Sequence, residues 1–145
     1  MLFRSLKMGL RVQPVIVNSA AEIQSAFASM KKERAAAVVV QPLFNNNLGL
    51  GSQVAEQAAN YHLPSISDGN GYAEGGGLLF YGPDNLAISP RVADFVDRIL
   101  KGASPAETPV EQPQKFQLVI NMKTAKRLGV KVPQSMLLRA DKVIE

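Results

Sequence analysis

Three short apolar runs separated by two stretches of helical periodicity constrain this chain most. Residues 12–17 are β-branched apart from Gln13 and Pro14, residues 35–40 are continuously small and apolar, and residues 63–67 read Leu-Pro-Ser-Ile-Ser. Uninterrupted runs of this length suit parallel strands covered on both faces, with a proline tolerated near a strand's beginning. Between the first two runs, Ile23, Phe27 and Met30 recur at helical spacing and Ala26 widens their face, so an amphipathic helix is predicted over 20–33. Ser19 followed three residues later by Glu22 fits a capping box at its start. A second helix is predicted over 50–61, with Val54, Ala58 and Tyr61 facing inward. Strand–helix–strand–helix–strand at this spacing argues an α/β fold built on a doubly wound parallel sheet.

The second half begins with a change of texture. Residues 67–77 hold five glycines, Gly69, Gly71, Gly75, Gly76 and Gly77, before the apolar run 78–81. Glycines permit dihedral changes that other residues resist, so a change of layer or lobe is expected here. Ser89 and Pro90 stand in the order of cap and first-turn proline, which predicts a helix with Val92, Phe95, Val96 and Ile99 on its apolar face and Gly102 as terminator. Residues 103–114 contain three prolines without periodicity and read as an extended connector. A strand over 116–121, a short basic helix and a last helix over 133–141 complete the chain.

Length and composition place limits on function. One domain with a real core suits 145 residues, and 46% apolar against 19% charged content excludes a disordered chain. No stretch approaches the roughly 18–20 apolar residues of a membrane helix. Residues 1–10, broken by Arg4 and Lys7, read as the end of an amphipathic helix rather than as a signal-peptide core. The absence of cysteine excludes disulfide and thiolate chemistry. The net charge of +4 comes from scattered lysines and arginines that alternate with apolar residues between 123 and 142. That pattern suits a solvated helix face; nucleic-acid binding would need clustering and interleaved aromatics.

Catalytic constellations are missing. His62, the one histidine, follows a predicted helix and suits a carbonyl-capping role at its C-terminal end. No second histidine or cysteine completes a zinc site, and no serine lies in a nucleophile-elbow sequence. Asp84, Asp94 and Asp97 are spaced for a turn, a cap and a helix surface. The glycine cluster leads into a strand and lacks the Gly-Lys-Ser/Thr of a phosphate loop. No enzymatic activity and no cofactor is therefore expected. What the chain offers instead is polar and aromatic residues where parallel strands end, the place at which open α/β sheets bind ligands. Phe44, Asn45 and Asn46 follow the second strand; Asp68, Asn70 and Tyr72 follow the third. Amides that donate and accept, a carboxylate for an ammonium and rings for stacking suit a small polar solute. The residues alone leave open whether these are ligand contacts or ordinary turns, since asparagine and glycine favour loops for backbone reasons. Tyr81 is equally open between cleft and strand packing.

Taken together, Val96-Asp97-Arg98-Ile99-Leu100-Lys101-Gly102, Pro109-Val110-Glu111-Gln112-Pro113, the strand 116–121 and Lys123-Thr124-Ala125-Lys126 resemble the ABC-transporter solute-binding proteins of the type I periplasmic fold, in the lineage with tryptophan- and tyrosine-binding members. The resemblance runs from about residue 8 to the end and implies the C-terminal half of such a protein. It implies residues 1–77 as most of a second α/β lobe, with 78–145 supplying a crossing strand, a first-lobe helix and strand, and a tail. It further implies closure on an amino acid or similar solute, an ABC permease as partner, and a periplasmic or extracellular location. In that family the loops holding Phe44, Asn45, Asn46, Asp68, Asn70 and Tyr72 face the interlobe cleft. Sheet edges and a helix face left bare by half a clamshell predict a homodimer. The competing expectation is a freestanding flavodoxin-like or receiver-like signalling module, against which stands the lack of an acidic cluster at the strand ends. An effector-binding lobe of a repressor is a third, without a DNA-binding segment in this chain.

Overall fold

A computed structural model describes residues 7–42 and 49–145, and its centre is a five-stranded sheet in the order β1-β2-β3-β4-β5. Helix α1 (Ile23–Lys32) leads to β1 (Val38–Val40), and α2 (Gly51–Asn60) leads to β2 (Ser65–Ser67). Strand β3 (Leu79–Pro83) is followed by the long α3 (Asn85–Leu100), and β4 (Phe116–Asn121) by α4 (Met122–Leu128), the one-turn α5 (Gln134–Leu137) and β5 (Lys142–Ile144). The class is α/β, as expected. The sheet is parallel over β1, β2 and β3, but β4 returns antiparallel to β3 and β5 lies parallel to β4. The parallel part of the sheet expected from the sequence is thus extended by an antiparallel pairing into a mixed sheet. The reason is that the excursion after β3 begins and ends at the same place: the Asp84 N–H donates to the Lys115 carbonyl at 3.0 Å.

Local chemistry explains most boundaries. Glu22 reaches back to the Asn18 N–H at 2.9 Å and accepts from the Ser19 hydroxyl at 3.3 Å, so the capping residues pair around a short 3-10 turn (Ala20–Glu22) that precedes α1. His62 adopts φ +55° at the end of α2, with Nδ1 3.1 Å from the Ala59 carbonyl, the capping position expected of it. Helix α3 starts one turn earlier than Ser89-Pro90 suggests. Asp84 is its cap, accepting from the Leu86 and Ala87 N–H groups, and Pro90 lies inside the helix. A carboxylate facing two free N–H groups outcompetes a serine hydroxyl for the cap, and Pro90, the sixth residue of the helix, leaves the Leu86 carbonyl without its ladder N–H.

Residues 12–17 are a second correction. They form no strand and are largely exposed, Ile16 at 81%, because no described strand lies beside them to complete a ladder. Strand β5 was not foreseen. Asp141 makes it possible: its N–H donates to the Leu118 carbonyl and its Oδ2 accepts from the Leu118 N–H at 2.8 Å, which sets the register of β5 on β4.

Two clusters form the interior. One gathers Ile23, Phe27, Val40, Val54, Ala58, Leu63 and Tyr72 between α1, α2 and the β1–β2 end of the sheet. The other joins Ala73, Phe80 and Val119, with Ile144 against them. Tyr72 and Ala73 are chain neighbours, so a single peptide passes from one core to the other.

Candidate functional site

Because β1 and β2 are parallel, the chain leaves both at the same edge, and the segment after β2 folds back on itself there. Residues 69–77 wind into a compact coil closed by backbone bonds: Tyr72 N–H to Gly69 O, Gly75 N–H to Gly71 O, Gly76 N–H to Ala73 O and Gly77 N–H to Tyr72 O. Gly71 and Gly76 take φ of +78° and +104°, the left-handed region glycine enters without cost. At Gly77 the need is spatial. A Cβ there would stand 2.1 Å from the Tyr72 ring. The glycines that the sequence marks as a place of freedom thus build a tightly packed turn.

The coil presents Asn70 and Gly71 to two adjoining grooves. The smaller, about 110 Å³, is completed by Gly49, Gly51 and Ser52 at the start of α2. The larger, about 230 Å³, has Phe80 and Val119 as an apolar floor, with Glu74, Asp84, Asn85 and Gln117 around them. Polar side chains around an apolar patch at the carboxyl ends of parallel strands are what a small-solute site requires. Two carboxylates there are already engaged. Lys115 at 2.9 Å and the two cap N–H groups hold the Asp84 carboxyl below its ordinary range. Burial works to raise the Glu74 carboxyl, but the Lys142 ammonium at 2.9 Å, with a backbone bond, outweighs it and leaves the group lowered.

The residues singled out in the sequence divide three ways. Asn70 is exposed and lines both grooves. Asp68 is exposed at the end of β2, and Gly82 lets its carbonyl approach β3, since a Cβ at Gly82 would stand 2.9 Å from that oxygen. Tyr81 neighbours Phe80 on β3, and strand alternation turns it to the other sheet face, where it stacks on Phe116 at 5.7 Å, half exposed. Tyr72 does not face the groove. It is 1% exposed, its hydroxyl donates to Ser65 Oγ at 2.8 Å, and burial raises its pKa against that bond. A ring of that size beside the first core gains more from burial than from the open edge. Phe44, Asn45 and Asn46 lie outside the described residues. The sequence reading missed Ser52, Glu74, Asn85 and Gln117 and took Asp84 for a turn residue. The one available signal was Asp84-Asn85 directly after an apolar run, since a residue ending a strand is aimed at the sheet edge.

Among the described residues no group of three or more histidine, cysteine, aspartate or glutamate side chains could hold a metal ion, and no helix is long and apolar enough to cross a membrane. The fold is an α/β lobe with two polar-rimmed grooves meeting at one edge of its sheet. The chain belongs to the ABC transporter substrate-binding protein family, whose model matches residues 2–144. A conserved domain protein from Vibrio cholerae O1 biovar El Tor is similar with a TM-score of 0.84 and 25% identity, over 97% of this chain and 47% of that one. An ABC domain in complex with L-Trp from Streptococcus pneumoniae is similar with a TM-score of 0.83 and 30% identity, over 99% and 48%. CD0873, a ligand-free, open substrate-binding protein with adhesive properties from Clostridium difficile, shares the fold at a TM-score of 0.70 and 20% identity, over 98% and 47%. The chain therefore spans about half the length of these structures and corresponds to the C-terminal half of the family fold. Comparison with curated proteins gives no match.

Proposed function

We propose that this chain supplies one wall of the solute cleft of an ABC transporter substrate-binding protein, and that the solute is a small polar molecule of the amino-acid class. The observation that carries this reading is the pair of grooves meeting at Asn70 and Gly71, beyond the ends of parallel strands, in a chain of this family. The L-Trp complex of a relative that is 30% identical supports the amino-acid class. Binding without turnover, delivery to an ABC permease, and a periplasmic or extracellular setting belong to the same reading. So does a division in which 1–77 form most of one lobe and 78–145 the crossing strand, helix, strand and tail. Asp68 and Asn70 are the polar contacts, Tyr81 stands on the opposite sheet face, and Phe44, Asn45 and Asn46, outside the described residues, are further contacts in the same reading.

One wall makes part of the contacts, so solute binding by the chain alone is expected near millimolar, the affinity of about 4 kcal/mol. Nitrogen-15 NMR titration with L-tryptophan, other amino acids and small organic acids tests it. Saturable shifts at Asn70 and Gly71 support the reading; a panel that moves neither residue overturns it. We also propose that the chain forms a homodimer through the apolar face of α3, where Val92 is 53% and Val96 50% exposed. Light scattering at low micromolar concentration decides this, a stable monomer being the refuting result.

A further inference from the structure

The coil that carries Asn70 and Gly71 is held from both sides by different parts of the chain. On one side Tyr72 is sunk in the first core and bonded to Ser65. On the other, three side chains from the C-terminal segment take hold of three residues of the coil. Asn121 Nδ2 donates to the Ala73 carbonyl at 2.8 Å, Thr124 Oγ1 donates to the Gly76 carbonyl at 2.9 Å, and Lys142 Nζ pairs with Glu74 at 2.9 Å. These bonds span 48 and 68 residues of chain, and none of the three residues lines either groove. Thr124 takes a Gly76 carbonyl that none of the coil's four backbone bonds uses, while the Ala73 carbonyl, already accepting from the Gly76 N–H, gains a second donor in the buried Asn121 side chain.

We propose that Asn121, Thr124 and Lys142 are positioning residues for the solute wall. They fix the coil 69–77 against β4, α4 and β5, so that Asn70 and Gly71 stand in binding geometry before any solute arrives. The proposal rests on the solute-cleft reading above and adds to it the part of the chain that sets the wall. Physically, a preformed wall spares the solute the ordering cost of a glycine-rich segment, which otherwise subtracts from affinity. Thr124 is the decisive position. Asn121 also caps α4, its Oδ1 accepting from the Thr124 N–H, so its replacement would disturb the helix as well.

The test compares Thr124→Val, which keeps the shape and removes the hydroxyl, with Thr124→Ser, which keeps the hydroxyl. Amide hydrogen exchange and titration with L-tryptophan are read on the full chain. In Thr124→Val the Gly75, Gly76 and Gly77 amides should exchange at least tenfold faster while those of Phe27 and Ala58 keep their rates. The apparent Kd should rise at least fivefold, and Thr124→Ser should restore both within twofold. Lys142→Met, at an exposed position, should speed exchange only around Glu74. Unchanged coil exchange in Thr124→Val overturns the proposal, and so does equal acceleration in the coil and the first core, which would make Thr124 a general stability residue. If wild-type chain shows no L-tryptophan response, that tells against the solute reading, while the exchange rates still decide whether these residues hold the coil.

Discussion

The coil 69–77 and helix α3 reverse the usual relation between composition and burial. The coil is rich in glycine, yet it contains Tyr72 and Ala73, two of the most buried residues among those described. Helix α3 carries Ile88, Val92, Phe95, Val96 and Ile99 on one face, yet none of its residues is buried. Phe95 is covered only partly, by the guanidinium groups of Arg91 and Arg98 at 5.6 and 4.9 Å from its ring. What lies opposite decides the difference. The coil sits between two cores, whereas the apolar face of α3 joins neither core cluster among the described residues, and its Arg91 Nε donates to Glu111 of the connector at 2.7 Å. An apolar stripe states a readiness to be buried, and only a facing surface fulfils it.

This contrast can be broken most sharply at Gly77. Gly77→Ala forces the buried Tyr72 ring to move and should cost about 3 kcal/mol, the upper range for overpacking a filled interior. Denaturant melts check this; a loss within experimental error would mean the coil yields more readily than its packing implies. Tyr72→Phe keeps the ring and strands the Ser65 hydroxyl, for an expected loss of about 1–2 kcal/mol in the same assay. Acid sharpens the comparison next. Glu74 and Asp84 have folded-state pKa values below their unfolded ones, so the stability they confer is present above about pH 4 and disappears as pH falls through the lowered values. Melting temperature should fall in that window and fall less steeply in Asp84→Asn. Glu111 is also lowered, by the Arg91 hydrogen bond first, but it lies at the exposed α3 side where solvent screens the pair, so Glu111→Gln should leave the acid profile nearly unchanged. Smallest of all is Val96→Lys. On α3 it should shift chain stability by no more than about 0.5 kcal/mol, while abolishing any dimer seen by light scattering.

The sequence discloses elements better than it discloses their surroundings. Strand β4 is legible to the residue because the apolar run Leu118-Val119-Ile120 ends at Asn121, whose side chain caps the next helix by accepting from the Thr124 N–H. The interior of α1 follows from Ile23 and Phe27 at helical spacing, and the end of α3 from Gly102. Residues 12–17 mislead because β-propensity measures fitness for a sheet and cannot say whether a neighbouring strand is there. Strand β5 escapes notice for the opposite reason: three residues carry little pattern, and Asp141 fixes their register from outside the strand. The candidate site was half legible. Asn70 follows from its place after a parallel strand, but Tyr72 looks the same in sequence whether it faces a solute or a core. Gln117 and Glu74 reach the groove through pairings invisible without the fold.

The bond between Asp84 and Lys115 has a consequence for how the chain tolerates change. Everything from 85 to 114 departs from and returns to one point, tied there by a backbone hydrogen bond and an ion pair. Closing a loop costs only about 0.6 kcal/mol more for each doubling of its length, so the β3–β4 pairing depends little on how long that detour is. The detour is thus a cassette. Past Asn85 and Leu86, which line the larger groove, it can be lengthened, recharged or exchanged for another helix while the β-sheet frame is rebuilt unchanged.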